Sequence, residues 1–254
     1  MEISPSDAPP SRTRSIQDFP YYDGRPVLFA LPDWLALLAL TAAGFVALVG
    51  VQQLWPGDPG RWTGVALFVA LPLLGLRLAA GRDWAAAFRR PSAGDVLIGL
   101  AFVPVTMIAS GLVAFLVMRV SLTAANPSAA LLGHMTDLQR VAFVASTGPQ
   151  LFGEELVTIL PLLAFLAAFH QILRIPRRAS VAAAWVGSAL IFAALHLPTY
   201  QWHLVQTLAV IGASRLTLSL PYLITKTIWS STITHITNDW LLLAFVIFAS
   251  AHGG

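Results

Sequence analysis

The chain has no cysteine. That absence excludes disulfides, thiolate metal sites and a cysteine nucleophile. Charge is also scarce: Asp, Glu, Lys and Arg together make 11% of the residues, where a soluble domain carries about 25%. Too few polar side chains remain to cover a water-facing surface. Long blocks of like charge are missing as well, the only short clusters being Arg89-Arg90 and Arg177-Arg178, so nucleic acid is not an expected partner. What is abundant is apolar: 57% of the chain is hydrophobic, with a mean hydropathy of +0.73. Apolar runs long enough to cross a bilayer as helices recur along it. The expected fold class is all-α, a polytopic transmembrane helical bundle with membrane lipids as its surroundings.

Residues 1–31 are polar and rich in proline, with Pro5, Pro9, Pro10, Pro20 and Pro26. No apolar core closely follows a basic start, so the segment does not read as a signal peptide. It reads as a flexible cytoplasmic tail, with Phe19, Tyr21 and Tyr22 touching the membrane interface. The remainder, 32–254, reads as the transmembrane domain. About seven spans are expected, at roughly 33–54, 62–80, 95–118, 141–169, 179–197, 204–222 and 228–250; merging of two spans would make it eight. Eleven basic residues fall on one side: Arg12, Arg14, Arg25, Arg77, Arg82, Arg89, Arg90, Arg174, Arg177, Arg178 and Lys226. The other side holds Arg61, Arg119 and Arg140. By the positive-inside rule the N-terminal tail faces the cytoplasm and, with seven spans, the C-terminus faces outward. A bacterial plasma membrane is the expected location.

An ionisable side chain near the bilayer centre costs about 3 kcal/mol even on the gentler scales, so such residues mark functional sites by default. The candidates within spans are Glu154, Glu155, His196, Arg215, His235, Asn238 and Asp239. Adjacent helical residues point about 100° apart, so Glu154 and Glu155 serve different neighbours. His235 and Asp239 share a face, as do Phe192 and His196. A carboxylate with two imidazoles suits activation of a water by a general base. It equally suits a divalent metal such as zinc, held by Glu154, His196 and His235. Depth is the difficulty: helix rise places His235 about 10 Å from the basic side but His196 about 25 Å. A single site needs a tilted or deeper fifth span, or an aqueous cavity. His134 reads as a solvated loop residue.

Gly153-Glu154-Glu155-Leu156, Phe192-Ala193-Ala194-Leu195-His196 and His235-Ile236-Thr237-Asn238-Asp239 resemble three motifs of the CAAX protease and bacteriocin-processing family. Those motifs read EExxxR, FxxxH and HxxxN/D, in this order on successive helices, and the resemblance covers about 95–245. It implies an intramembrane glutamic-type peptidase acting on a membrane-associated protein or peptide. Glu154 would activate the water, His196 would help hold it, and His235 with Asp239 would bind the oxyanion. Glu155, Phe192, Asn238 and Arg215 would support them.

Two departures stand out. The motif arginine is replaced by Ile159, leaving Glu155 without its partner unless Arg215 or Lys226 reaches it from another helix. An ionised Asp239 would repel an oxyanion, so it must be protonated or must orient His235 instead; Asn238 is a donor one residue out of register. A competing reading is a non-catalytic relative, an immunity, binding or scaffold protein with a membrane protein partner. A third is a transporter using these residues as a proton relay.

Overall fold

The computed structural model describes residues 18–127, 131–132 and 135–252, so His134 and residues 1–17 lie outside it. The protein is 81% helical, with no strand among the described residues. Seven helices among these are long and apolar enough to cross a membrane. We number them α1 (Leu31–Leu54), α2 (Asp58–Ala80, continued by a 3-10 stretch Gly81–Phe88), α3 (Ala93–Val120), α4 (Asp137–Ala167, continued by a π turn Ala168–Ile172), α5 (Arg177–Leu195), α6 (Leu204–Thr225) and α7 (Ile228–His252).

Local chemistry sets the ends. α4 begins four residues earlier than expected because Thr136 and Gln139 form a reciprocal capping box, satisfying amides the first turn leaves open. Ser92 and Asp95 do the same for α3. The Pro/Gly turn after α1 is shorter than expected, since Pro59 sits inside the first turn of α2, where its missing N–H is not needed. α4 stays helical through Pro149 and Pro161.

α4 is the centre of the bundle, packed by α1, α2, α5 and α7, while α3 and α6 close the far side against α7. From Glu155 to Ala164 every residue of α4 is buried, and all but Glu155 and Thr158 are apolar. α3 and α7 approach closely at Gly99, where an added Cβ would stand 2.7 Å from the Ser230 carbonyl. Thr234 Oγ1 donates to the Gly99 carbonyl at 2.8 Å, a small-residue contact of the kind membrane helices use.

The expected loose tail is packed where it is described. Phe19, Tyr21 and Tyr22 are 3%, 1% and 3% exposed, and so buried rather than interfacial. Tyr21's hydroxyl reaches the carbonyls of Asp83 and Trp84, each at 2.9 Å. Asp18 pairs with Arg177, Gln171 donates to the Tyr22 carbonyl, and Lys226 lies 4.1 Å from the centre of the Phe19 ring. Residues 18–25 therefore clasp three connections at the basic end of the bundle: that after α2, that between α4 and α5, and that between α6 and α7. The aromatic content of the segment, which reads as interfacial from sequence, is what buries it.

Burial pushes the Asp18 carboxyl up, but bonds from Arg177, the Phe19 amide and Tyr22 outweigh it and leave the group below its usual value. A depressed carboxyl stabilises above its unfolded pKa and ceases to do so as pH falls through its folded one. The pair is partly exposed, so its worth is about 1 kcal/mol at most. At neutral pH, Asp18→Asn is expected to raise amide exchange of residues 19–25 a few-fold over the intrinsic rate. The two proteins should converge as pH drops below the carboxylate range; persistent difference there would assign the clasp to packing alone.

Candidate active site

The two glutamates divide as helix geometry requires. Glu155 turns inward and is fully buried, whereas the side chain of Glu154 is 14% exposed and lines a cavity of about 700 Å³. Their placement depends on Gly153: an added Cβ would lie 2.5 Å from the ring of Phe68 on α2, itself 1% exposed. A larger residue would drive α4 from α2 at the residue before the pair.

Around Glu155 the structure assembles three helices. Arg215 of α6, 0% exposed, places Nη2 2.7 Å from Glu155 Oε1. This is an ion-pair contact, with the N–H not aligned as a hydrogen bond. His235 of α7 has Nδ1 2.8 Å from the same oxygen. A carboxylate held by a guanidinium can only accept here, so His235 Nδ1 carries the proton. Its contact with Arg215 Nη1 at 3.4 Å is then an approach of two donors, not a bond. Arg215 also lies 5.0 Å from the centre of the Phe192 ring of α5, within cation–π range. Phe192 in turn touches His196 and His235, at centroid distances of 4.6 and 6.4 Å.

The expected mismatch in depth is bridged by this ring. His196 is the residue that ends α5, far from its basic start, and Phe192 one turn earlier spans the interval to His235. The cavity supplies the rest, since Glu154 and His196 both line it.

Glu154 is held differently. Gln150, one turn earlier on the same face, donates Nε2–H to Glu154 Oε1 at 3.1 Å. The other oxygen, Oε2, faces His235 Nε2 at 3.8 Å. Asp239 Oδ2 stands 3.9 Å from that same nitrogen, and Asp239 Oδ1 accepts from Asn238 Nδ2 at 2.9 Å. Asn238 is thus committed to Asp239. Gln150 went unselected from the sequence, although its i, i+4 spacing to Glu154 was readable. Tyr200, in the turn after α5, was likewise not selected; burial, then the nearby Asp239 and Glu154 carboxylates, push its phenol up.

The tautomers alter the expected chemistry. His196 Nδ1 lies 2.9 Å from the Phe192 carbonyl, which can only accept, so this ring too carries its proton on Nδ1. In the neutral rings both Nε2 atoms are lone pairs. They can accept from a water but cannot donate to an oxyanion as neutral imidazoles. Nδ1–H bound to a carboxylate or carbonyl is also how metal-ligating histidines are oriented. Yet no group of three or more such donors among the described residues stands at metal-binding spacing. The donor types fit zinc and their arrangement does not.

Arg215→Met should cost about 3–5 kcal/mol, because it strands a buried carboxylate. Adding Glu155→Gln should recover most of that loss. Thermal unfolding in detergent reads both, and a double variant no more stable than the single would show that Glu155 is not the residue Arg215 serves.

Residues 137–241 match the family described as type II CAAX prenyl endopeptidase Rce1-like. No curated protein and no solved structure matches the chain. The matched segment holds α4, α5, Arg215 and the motif-bearing part of α7, and over those residues the chain is similar to the CAAX protease and bacteriocin-processing family.

Proposed function

We propose that the protein is an intramembrane endopeptidase in which Glu154 activates a water against a peptide bond of a membrane-associated protein or peptide. CAAX-type intramembrane proteolysis is the activity suggested by the family that residues 137–241 match. One observation supports this specific reading most: Gln150 occupies one oxygen of Glu154, leaving the other free beside His235 Nε2 in an open cavity. A water placed there donates one proton to Glu154 Oε2 and the other to the His235 lone pair. Its own lone pair is then aimed outward. As it attacks the carbonyl carbon, Glu154 takes the proton, and later returns it to the departing amine. His196 Nε2 provides a second acceptor on the cavity wall.

Asp239 does not touch an oxyanion in this scheme. It faces His235 Nε2 and, held by Asn238, steers the ring, as outer carboxylates commonly do. Glu155 and Arg215 fix the opposite edge of the same ring. The scheme routes no step through zinc, since no three such donors among the described residues stand at metal-binding spacing. Of the two departures that favour a non-catalytic relative, one is met: Arg215 supplies the cation missing at Ile159.

Glu154→Gln should lower kcat by about 10²–10⁴-fold at unchanged protein level and melting temperature. Full proteolysis in that variant would end the glutamate mechanism. Gln150→Leu should lower kcat about 10–100-fold by loosening Glu154, with KM nearly constant; a change in KM alone would place Gln150 in substrate binding.

On the metal question, purified protein is expected to carry no stoichiometric zinc and to keep its activity in chelator. Zinc bound one-to-one and lost in His196→Ala would reverse that assignment.

A further inference from the structure

The cavity beside Glu154 runs from the middle of the bundle to one end. Its walls come from the second half of α1, from Phe45 to Gln53, from Phe68 of α2, from the middle of α4, and from the last turn of α5 with Pro198 and Thr199 beyond it. Helix rise puts Gln53 about 33 Å from the start of α1 and His196 about 28 Å from the start of α5. Both helices start at the end where residues 18–25 clasp the connections carrying Arg82, Arg89, Arg90, Arg174 and Arg177. The cavity therefore reaches from the middle of the bundle into the half away from the basic residues.

That half is also open sideways. α1 packs on α2 and on α4 but makes no substantial contact with α5, leaving a gap between them. On α1 the residues at its edge include Val46 and Val49, 67% and 42% exposed. On α5 the wall is formed by Phe192, Leu195 and His196. An edge of this composition faces lipid, while Gln53 and Thr199 mark its aqueous end.

Combined with the charge asymmetry, which sets the basic connections on the cytoplasmic side, the geometry points to a cleft that opens laterally to the outer half of the bilayer. It would receive the apolar membrane segment of a polypeptide presented from the extracytoplasmic side. A lipidated C-terminus offered from the cytoplasm would reach the closed, clasped end instead. This rests on the peptidase reading for its substrate, but its sidedness does not.

The absence of native cysteine makes the test direct. Single cysteines at Gln53→Cys, Thr199→Cys and Ala93→Cys are placed in the full chain, and spheroplasts of a bacterial expression host are treated with a membrane-impermeant maleimide. Gln53→Cys and Thr199→Cys should label in intact spheroplasts. Ala93→Cys, exposed at the basic end, should label only after permeabilisation. The reverse pattern would overturn the sidedness. Repeating the labelling in a Glu154→Gln background should leave it unchanged, which separates failure of the orientation from failure of the peptidase mechanism.

For the occupant, a synthetic peptide of about 20 apolar residues is added from outside to right-side-out vesicles. It should slow labelling at Gln53→Cys several-fold and leave Ala93→Cys, in opened vesicles, unaffected. Equal labelling with and without peptide would overturn the lateral cleft as a peptide site.

Discussion

Glu155 is a carboxylate at full burial in an apolar bundle, and the ordering of everything near it follows from how its charge is met. Arg215 supplies the opposite charge at 2.7 Å and His235 the hydrogen bond at 2.8 Å, both to the same oxygen. In a low-dielectric interior an unpaired carboxylate costs several kcal/mol, and a paired one is tolerated only with good geometry. The interaction is therefore better read as a constraint than as a source of stability. It fixes which nitrogen of His235 carries the proton, and with it the face the ring offers to Glu154. Replace the pair by apolar groups and the bundle could persist, but the imidazole would lose its orientation.

Glu154 shows the complementary case. It sits one residue away and so about 100° around the helix, where water has access and no Lys or Arg among the described residues pairs with it. Gln150 restrains it without neutralising it. Two adjacent carboxylates on a single helix thus acquire different jobs from their surroundings alone. The close approach of Phe68 at Gly153 holds α4 in the rotation that keeps them apart.

The sequence made the architecture legible because hydropathy is written in long runs: all seven helices were placed to within a few residues at most ends. Where the boundaries moved, the cause was short-range chemistry, as with the Thr136 capping box or Pro59. The site was legible as three motifs, since Glu154, Glu155, His196, His235 and Asp239 are conspicuous in apolar spans. Three things were not. Phe19, Tyr21 and Tyr22 read as interfacial because nothing in a polar, proline-rich segment indicates the pocket that three distant loops form for them. The tautomers depend on which carbonyl or carboxylate each ring meets, which spacing does not encode. Gln150 was passed over because a neutral amide costs less in a membrane than a charge and so draws less notice.

The placement of the cation has a consequence for assembly. An arginine at position 159 would lie on the same helix as Glu155 and could pair with it before any tertiary contact formed. Ile159 is instead part of the apolar core, and the cation arrives on α6. Pairing then requires α4, α6 and α7 to be docked together, since His235 must meet the same oxygen. α6 is located from its other end too: Phe19 packs against Tyr222, and Lys226 beyond it meets the same ring. The residue that neutralises the site and the segment that closes the basic end are thus joined by one helix of the bundle. A loosened clasp would be felt at Glu155 through the register of α6, although the two lie at different levels of the protein.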